Sequence, residues 1–228
     1  MKKFALIVAG GSGKRMNLET PKQFMKIDVQ PILMHTAEAF LKADRNFHFI
    51  VVLPESLIKK WEIACKEHNF DSPQSIVIGG STRFHSVKNG LKKINDEGIV
   101  FIHDGVRPLV SVKTIENCYK IAVKTGNALP VISPSESVRR AVNDKNKAVD
   151  RTKYFLVQTP QTFRVSLIKK AFERDYNEKF TDDASVLENY GKEIHLVEGN
   201  RENIKITYPE DLALAKVYLQ NKLNPNFS

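Results

Sequence analysis

Ala9-Gly10-Gly11-Ser12-Gly13-Lys14-Arg15-Met16, with Thr20-Pro21-Lys22-Gln23 close behind, is the stretch on which the reading of this chain turns. It follows the apolar run Phe4 to Val8 directly, so it reads as a first strand opening into a glycine-rich turn that carries three cations, Lys14, Arg15 and Lys22. Glycines let backbone N–H groups approach a polyphosphate with no Cβ in the way, and the cations add charge-assisted hydrogen bonds. Ala9, Gly10, Gly11 and Gly13 are therefore candidate nucleotide-binding positions. Two common phosphate loops are excluded by counting. A P-loop needs glycine where Val8 stands and a hydroxyl where Arg15 stands, and a dinucleotide fingerprint needs glycine at Met16. An ordinary glycine-rich strand-to-helix turn with solvated lysines is the competing account of the glycines alone.

Outward from this turn, Phe47 to Leu53, Ser75 to Ile78, Ile99 to His103 and Ala128 to Ile132 read as short buried strands separated by helix-length segments. That alternation predicts an α/β fold with a doubly wound, mostly parallel, Rossmann-like sheet, in which ligands gather beyond the carboxyl ends of the strands. Ile32, Leu33, Thr36, Ala37 and Phe40 follow helical spacing, as do Phe84, Val87, Leu91 and Ile94, and both sets read as core. From residue 133 to 153 the helical signal stops. Ser137 to Val142 and Ala148 to Arg151 flank the polar turn Asn143 to Asn146, which predicts a protruding hairpin arm. A two-stranded ribbon is marginal alone in water, so the arm is expected to pack on a second subunit. Helices are predicted over Val165 to Arg174, Asp183 to Tyr190 and Pro209 to Gln220, with a strand at Ile194 to Glu198 and a capping box from Thr207 to Glu210. The chain 1–228 reads as one domain with the arm as an appendage.

Composition bounds the function. With 228 residues, 42% apolar and 27% charged, this is an ordinary globular protein. No apolar run reaches the roughly 20 residues of a membrane span, and Phe4 to Ala9 is too short for a signal-peptide core, so a cytoplasmic protein is expected. Cys65 and Cys118 lack metal-ligand spacing and read as reduced core residues. The net charge of +9 is spread through the predicted helices without an aromatic-interleaved stripe, which disfavours nucleic acid and suits an anionic small substrate.

Several further groups can carry chemistry. Asp104 and Arg107 emerge together after a strand, where an Asp can hold Mg²⁺ or simply close a turn. Gly79-Gly80-Ser81-Thr82-Arg83, with Ser86 one turn on, opens a helix, and Ser81 serves equally as its cap. Thr181 has the same two readings. Lys205 stands between apolar neighbours in a short predicted strand, an expensive place for a lysine unless an anion meets it or the strand lies at a solvated edge.

The turn pattern resembles sugar-phosphate nucleotidyltransferases and, more narrowly, cytidylyltransferases. Together with His103-Asp104-Gly105-Val106-Arg107-Pro108, Asp150-Arg151, Gln158-Thr159-Pro160-Gln161, Thr181-Asp182-Asp183-Ala184 and Asn203 to Asp211, it resembles the 2-C-methyl-D-erythritol 4-phosphate cytidylyltransferase family over roughly Phe4 to Leu219. The resemblance implies that Arg15 and Lys22 grip the CTP triphosphate, that Gly80 and Ser86 lie at the cytosine and ribose, and that Asp104 belongs to the Mg²⁺ region. It further implies that Lys205 meets the reacting phosphate. Arg107, Ser137, Arg151, Thr159 and Thr181 would surround the methylerythritol phosphate, with Arg151 supplied by the arm of a homodimer partner. Two departures stand out: Glu136-Ser137 occupies the place of the family's Asp-Thr, and Val106 that of an alanine. The implied reaction is a direct displacement at the α-phosphorus of CTP. The rival expectations are a cytidylyltransferase for another polyol phosphate such as ribitol 5-phosphate, and a catalytically silent nucleotide-binding protein.

Overall fold

Alternating core residues along the predicted strands imply a sheet buried on both faces, and the computed structural model, which describes residues 1–10 and 20–223, has one. The expectations placed on Gly11, Gly13 and Arg15 lie outside the described residues. The strands are β1 (Lys2–Val8), β2 (Lys26–Ile27), β3 (Gln30–Pro31), β4 (Phe47–Leu53), β5 (Gln74–Ile78), β6 (Gly98–Asp104), β7 (Asn127–Ile132), β8 (Arg139–Val142), β9 (Lys145–Ala148), β10 (Leu156–Val157), β11 (Gln161–Arg164) and β12 (Leu196–Glu198). The helices are α1 (Ile32–Ala43), α2 (Ile58–Glu67), α3 (Arg83–Leu91), α4 (Val112–Thr125), α5 (Val165–Ala171), α6 (Asp183–Asn189) and α7 (Pro209–Leu223).

The main sheet has the order β10-β7-β11-β6-β1-β4-β5, with β12 beside β7. β1 runs parallel to β4 and β6, β4 to β5 and β7 to β12, whereas β10 and β11 run antiparallel to their neighbours. The expectation of a mostly parallel, doubly wound sheet is met. Side chains alternate across it as a two-residue period requires. Ala5, Ile7, Phe49, Val51 and Phe101 meet Phe40 of α1, Trp61 of α2 and Cys118 of α4 on one face. Phe4, Leu6, Ile50, Val52 and Ile102 meet Phe84 of α3, Ile168 of α5 and Leu187 of α6 on the other. Each fully buried aromatic or aliphatic side chain here contributes roughly 1.5–3 kcal/mol. Cys65 and Cys118 are both free and buried, as expected, and burial pushes the Cys118 thiol up to about 12.

The strand order reverses between β1 and β6, whose register sets Val8 beside Asp104. A cleft at this switch point is where a doubly wound fold binds ligands. Close approach there demands a glycine: a Cβ on Gly105 would lie 2.9 Å from that of Ala9.

Five local expectations are corrected. The arm turns over two residues rather than four, because Asn143 adopts the left-handed φ of 52° that closes a tight turn, so Lys145 and Asn146 join β9. Asp150 caps a short 3-10 turn, Arg151–Lys153, in place of a strand end, its carboxylate accepting from the Thr152 N–H at 3.1 Å. The cap of α3 is Thr82, not Ser81, and that of α6 is Asp182, not Thr181. At α7, the Thr207 hydroxyl donates to the Lys205 carbonyl, and Asp211 instead of Glu210 accepts the N–H groups of Thr207 and Tyr208 at 2.7 and 2.8 Å.

Candidate active site

Three chain ends converge at the switch point. Past β1, Ala9 donates its N–H to the Val52 carbonyl at 2.9 Å, and the Gln23 amide reaches back to the Ala9 carbonyl at 2.8 Å. That bond fastens the 3-10 turn Lys22–Phe24 beside the strand exit. Lys22 is nearly buried and its ammonium donates to the Ile206 carbonyl at 3.4 Å. Lys205 itself is not in a strand, contrary to expectation. β12 ends at Glu198, and the segment beyond is carried by single bonds: Ile206 N–H to the Val106 carbonyl at 3.0 Å, Asn203 amide to the Thr159 carbonyl at 2.8 Å, and Arg107 to the Asn203 carbonyl at 2.7 Å.

Asp104 lies at the centre. Its carboxylate is 2.8 Å from Lys205 Nζ, 3.5 Å from Arg83 Nε and 3.6 Å from Arg107 Nε. Lys205 is exposed, so burial does not demand an anion of it, yet in the protein alone its ammonium pairs with Asp104. Burial works against the ionised carboxyl, but Arg83, Lys205 and Arg107 outweigh it and hold Asp104 well below the usual carboxylate range. Arg83 in turn grips Asp183 through both carboxylate oxygens, each at 2.7 Å. Burial disfavours the Arg83 cation, yet Asp183 and Asp104 overcome that and keep it firmly protonated.

Beneath the carboxylate, a buried chain fixes the backbone. The Asp104 N–H donates to Thr159 Oγ1 at 3.1 Å, and His103 meets that hydroxyl through Nδ1 at 3.0 Å and the Arg107 carbonyl through Nε2 at 3.0 Å. A carbonyl only accepts, so Nε2 carries the ring proton and the Thr159 hydroxyl donates to Nδ1. Burial lowers the His103 pKa to about 4, so the ring is neutral at physiological pH.

The cleft above, about 260 Å³, is lined by Ala9, Gly10, Lys22, Gly80, Ser86, Asp104 and Lys205 among others. The Gly80 N–H donates to Ser86 Oγ at 3.0 Å, and a Cβ on Gly80 would fall 2.3 Å from that of His85, so only glycine fits this wall. The structure thus gathers seven of the sequence-predicted residues into one cavity. Arg107 stands against it, behind Asp104. Thr159 is buried beneath it with its hydroxyl already engaged. Ser137, Arg151 and Thr181 are exposed and do not line it, and Arg151 is turned to the Ser135 carbonyl within the arm.

Arg83, Asp183, Gln23 and Asn203 stand in motifs that the sequence singles out, but the sequence gives them no role of their own. Arg83 did leave a signal: a cation in the first turn of α3 opposes the helix dipole and calls for a nearby carboxylate. Among the described residues no group of three or more His, Cys, Asp or Glu is arranged to hold a metal ion, and no helix is long and apolar enough to cross a membrane.

Comparison with known proteins agrees with this architecture. The family model for IspD, 2-C-methyl-D-erythritol 4-phosphate cytidylyltransferase, matches residues 4–221. Proteins of that name from Bacteroides fragilis and Bacteroides thetaiotaomicron are 51% and 47% identical, over 94% and 96% of this chain and 98% and 100% of theirs. Among solved structures, 4-diphosphocytidyl-2C-methyl-D-erythritol synthase from Anaerococcus prevotii superposes with a TM-score of 0.81 at 25% identity, covering 96% of each chain. The Francisella tularensis 2-C-methyl-D-erythritol 4-phosphate cytidylyltransferase gives 0.79 at 30% identity, over 96% of this chain and 100% of that one. Matched from the first strand to the last helix in both sequence and fold, the chain belongs to the 2-C-methyl-D-erythritol 4-phosphate cytidylyltransferase family.

Proposed function

We propose that this cleft transfers the cytidylyl group of CTP to 2-C-methyl-D-erythritol 4-phosphate, giving the cytidine diphosphate-linked polyol and pyrophosphate, a step of isoprenoid precursor biosynthesis. The observation that carries the reading is the meeting of Lys22, from the early turn, with Ile206 and Lys205, from the late segment, at one strand switch point. A phosphate oxygen of the polyol forms a bond to the α-phosphorus as the bond to the β-phosphate oxygen breaks, and pyrophosphate departs with that electron pair. The nucleophile is already an anion, so no base or covalent intermediate is needed. The protein's work is to bring two anions into line and stabilise the added charge in the transition state. Lys22 and Arg15 serve the triphosphate, Lys205 the reacting phosphate, and Gly80 and Ser86 the nucleoside.

Mg²⁺ suits the donor set. It takes oxygen ligands, commonly one or two carboxylates with substrate phosphates and waters, and among the described residues Asp104 is the carboxylate that lines this cleft. When bound, the ion would neutralise phosphate charge. The decisive assay supplies CTP and Mg²⁺ with either 2-C-methyl-D-erythritol 4-phosphate or ribitol 5-phosphate and measures pyrophosphate. Release with the first well above the second is expected. The reverse order, or nucleotide binding without any release, would refute the assignment.

The arm supports a homodimer. Phe155, Leu156, Val157 and Leu196 are 47%, 52%, 42% and 50% exposed, a run of apolar side chains at the base of the hairpin that a second subunit would cover. In that assembly Ser137 and Arg151 of one arm serve the polyol phosphate of the neighbouring cleft. The paired substitution Phe155→Asp and Leu156→Asp is expected to give monomers by sedimentation velocity and to abolish most turnover. A dimer that persists with full activity would exclude this interface.

A further inference from the structure

Within ion-pairing distance the charges around Asp104 do not balance: two carboxylates, Asp104 and Asp183, meet three cations, Arg83, Arg107 and Lys205, while Asp182 acts on Arg83 from farther off. Burial pushes the Asp183 carboxyl up, but its two-pronged bond from a guanidinium that cannot give up its proton keeps it ionised. Lys205 is the surplus. Its side chain is 41% exposed, against 30% for Arg83 and 13% for Arg107, and it hangs from a segment outside the sheet. If Lys205 swings away, two carboxylates remain with two guanidiniums, and no buried charge is stranded. Without Arg83 the same movement would leave two carboxylates against Arg107 alone, which the interior opposes strongly.

We propose that Arg83, clamped by Asp183, is the positioning residue that frees Lys205 from Asp104 to engage the reacting phosphate. The inference rests on reading Lys205 as the lysine that meets that phosphate. Arg83 spans the gap because it is the first residue of α3, lines the cleft, and reaches both Asp104 and the first residue of α6, Asp183. The device links residues 100 positions apart in the chain. It gives Asp183 of the Thr181-Asp182-Asp183 segment a task at the site without a place in its lining.

The test compares wild type, Arg83→Gln, and Arg83→Gln combined with Asp183→Asn. The single variant strands one carboxylate and locks Lys205 onto Asp104; the double variant restores the balance. Turnover in Arg83→Gln is expected to fall more than about fivefold, with the CTP dissociation constant by calorimetry within about threefold of wild type, and the double variant is expected to regain most of the loss. In protein free of metal and nucleotide, acetylation of Lys205 followed by peptide mass spectrometry should slow by about fivefold in the single variant and recover in the double, since an amine held against Asp104 is less accessible to the reagent. A smaller fall in turnover, CTP affinity weakening in step with it, or a double variant no better than the single would overturn the inference. Should Arg83→Gln not fold, the double variant decides alone: turnover within about tenfold of wild type supports the device, and any greater loss refutes it. Lys205→Ala separates the two levels. If it retains near-wild-type turnover, the reading of Lys205 fails; if it is inactive while Arg83→Gln is indifferent, only the present inference fails.

Discussion

Lys205→Ala and Lys22→Ala are each expected to lower turnover by on the order of 10²- to 10³-fold, the usual consequence of deleting one preorganised donor from a site where charge develops. The two losses should differ in kind. Lys22 is nearly buried, and its ammonium is held at 3.4 Å from the Ile206 carbonyl, so it is fixed before substrate arrives. Its removal should weaken CTP binding as well as turnover. Lys205 is held by Asp104 at 2.8 Å and, in the proposed reaction, exchanges that partner for phosphate, so its removal should act chiefly on kcat with CTP affinity little changed. Steady-state kinetics with pyrophosphate detection, alongside calorimetric CTP titration, separates these outcomes. Turnover near wild type in either variant would remove the mechanism.

Asp104→Asn should be the most damaging change to the cleft as a structure. The substitution keeps the size of the side chain and deletes the charge on which Arg83, Arg107 and Lys205 converge. Breaking a buried ion pair costs about 3–5 kcal/mol, and the slight exposure of Asp104 favours the lower end. For a chain of this size that amounts to a fall in melting temperature of roughly 6–12 °C. Turnover is expected to drop at least about 10²-fold, since the cations lose the anion that orients them. A pH signature accompanies the loss. The folded carboxyl ionises below its ordinary range, so its stabilisation is fully present above about pH 4, where an unfolded Asp is ionised, and disappears as pH falls further. Asp104→Asn should flatten that acid limb in thermal melts. An unchanged melting curve with unchanged turnover would show that the ion cluster is dispensable.

The parallel core was written plainly in the chain. Phe47 to Leu53 is a strand with those same limits, and the apolar runs at Phe4, Ile99 and Ala128 each lie within observed strands, because a strand buried on both faces must be apolar along its length. Boundaries and caps were less legible. Ser81 and Thr82, or Thr181 and Asp182, stand side by side as equally competent caps, and only the path of the preceding backbone selects between them. Lys205 shows a different failure. Its apolar neighbours suggested a strand, yet Ile206 is buried against Val106 and α7 rather than in the sheet. Of the two readings of this lysine, a solvated position or an anion partner, the structure shows both, since Lys205 is exposed and pairs with Asp104, and the sequence could not name that partner.

The order of short buried strands and helices by itself determined a doubly wound sheet, since apolar periodicity is a local property that each segment carries wherever it lies. Composition likewise determined a charge suited to small anions. Which side chains share one cleft was decided only in three dimensions: Lys22 reaches Ile206, Arg83 reaches Asp183 and Lys205 reaches Asp104 across large separations in the chain. Coulomb and hydrogen-bond energies depend on distance in space, and that distance exists only once the strand order has brought β1 and β6 side by side.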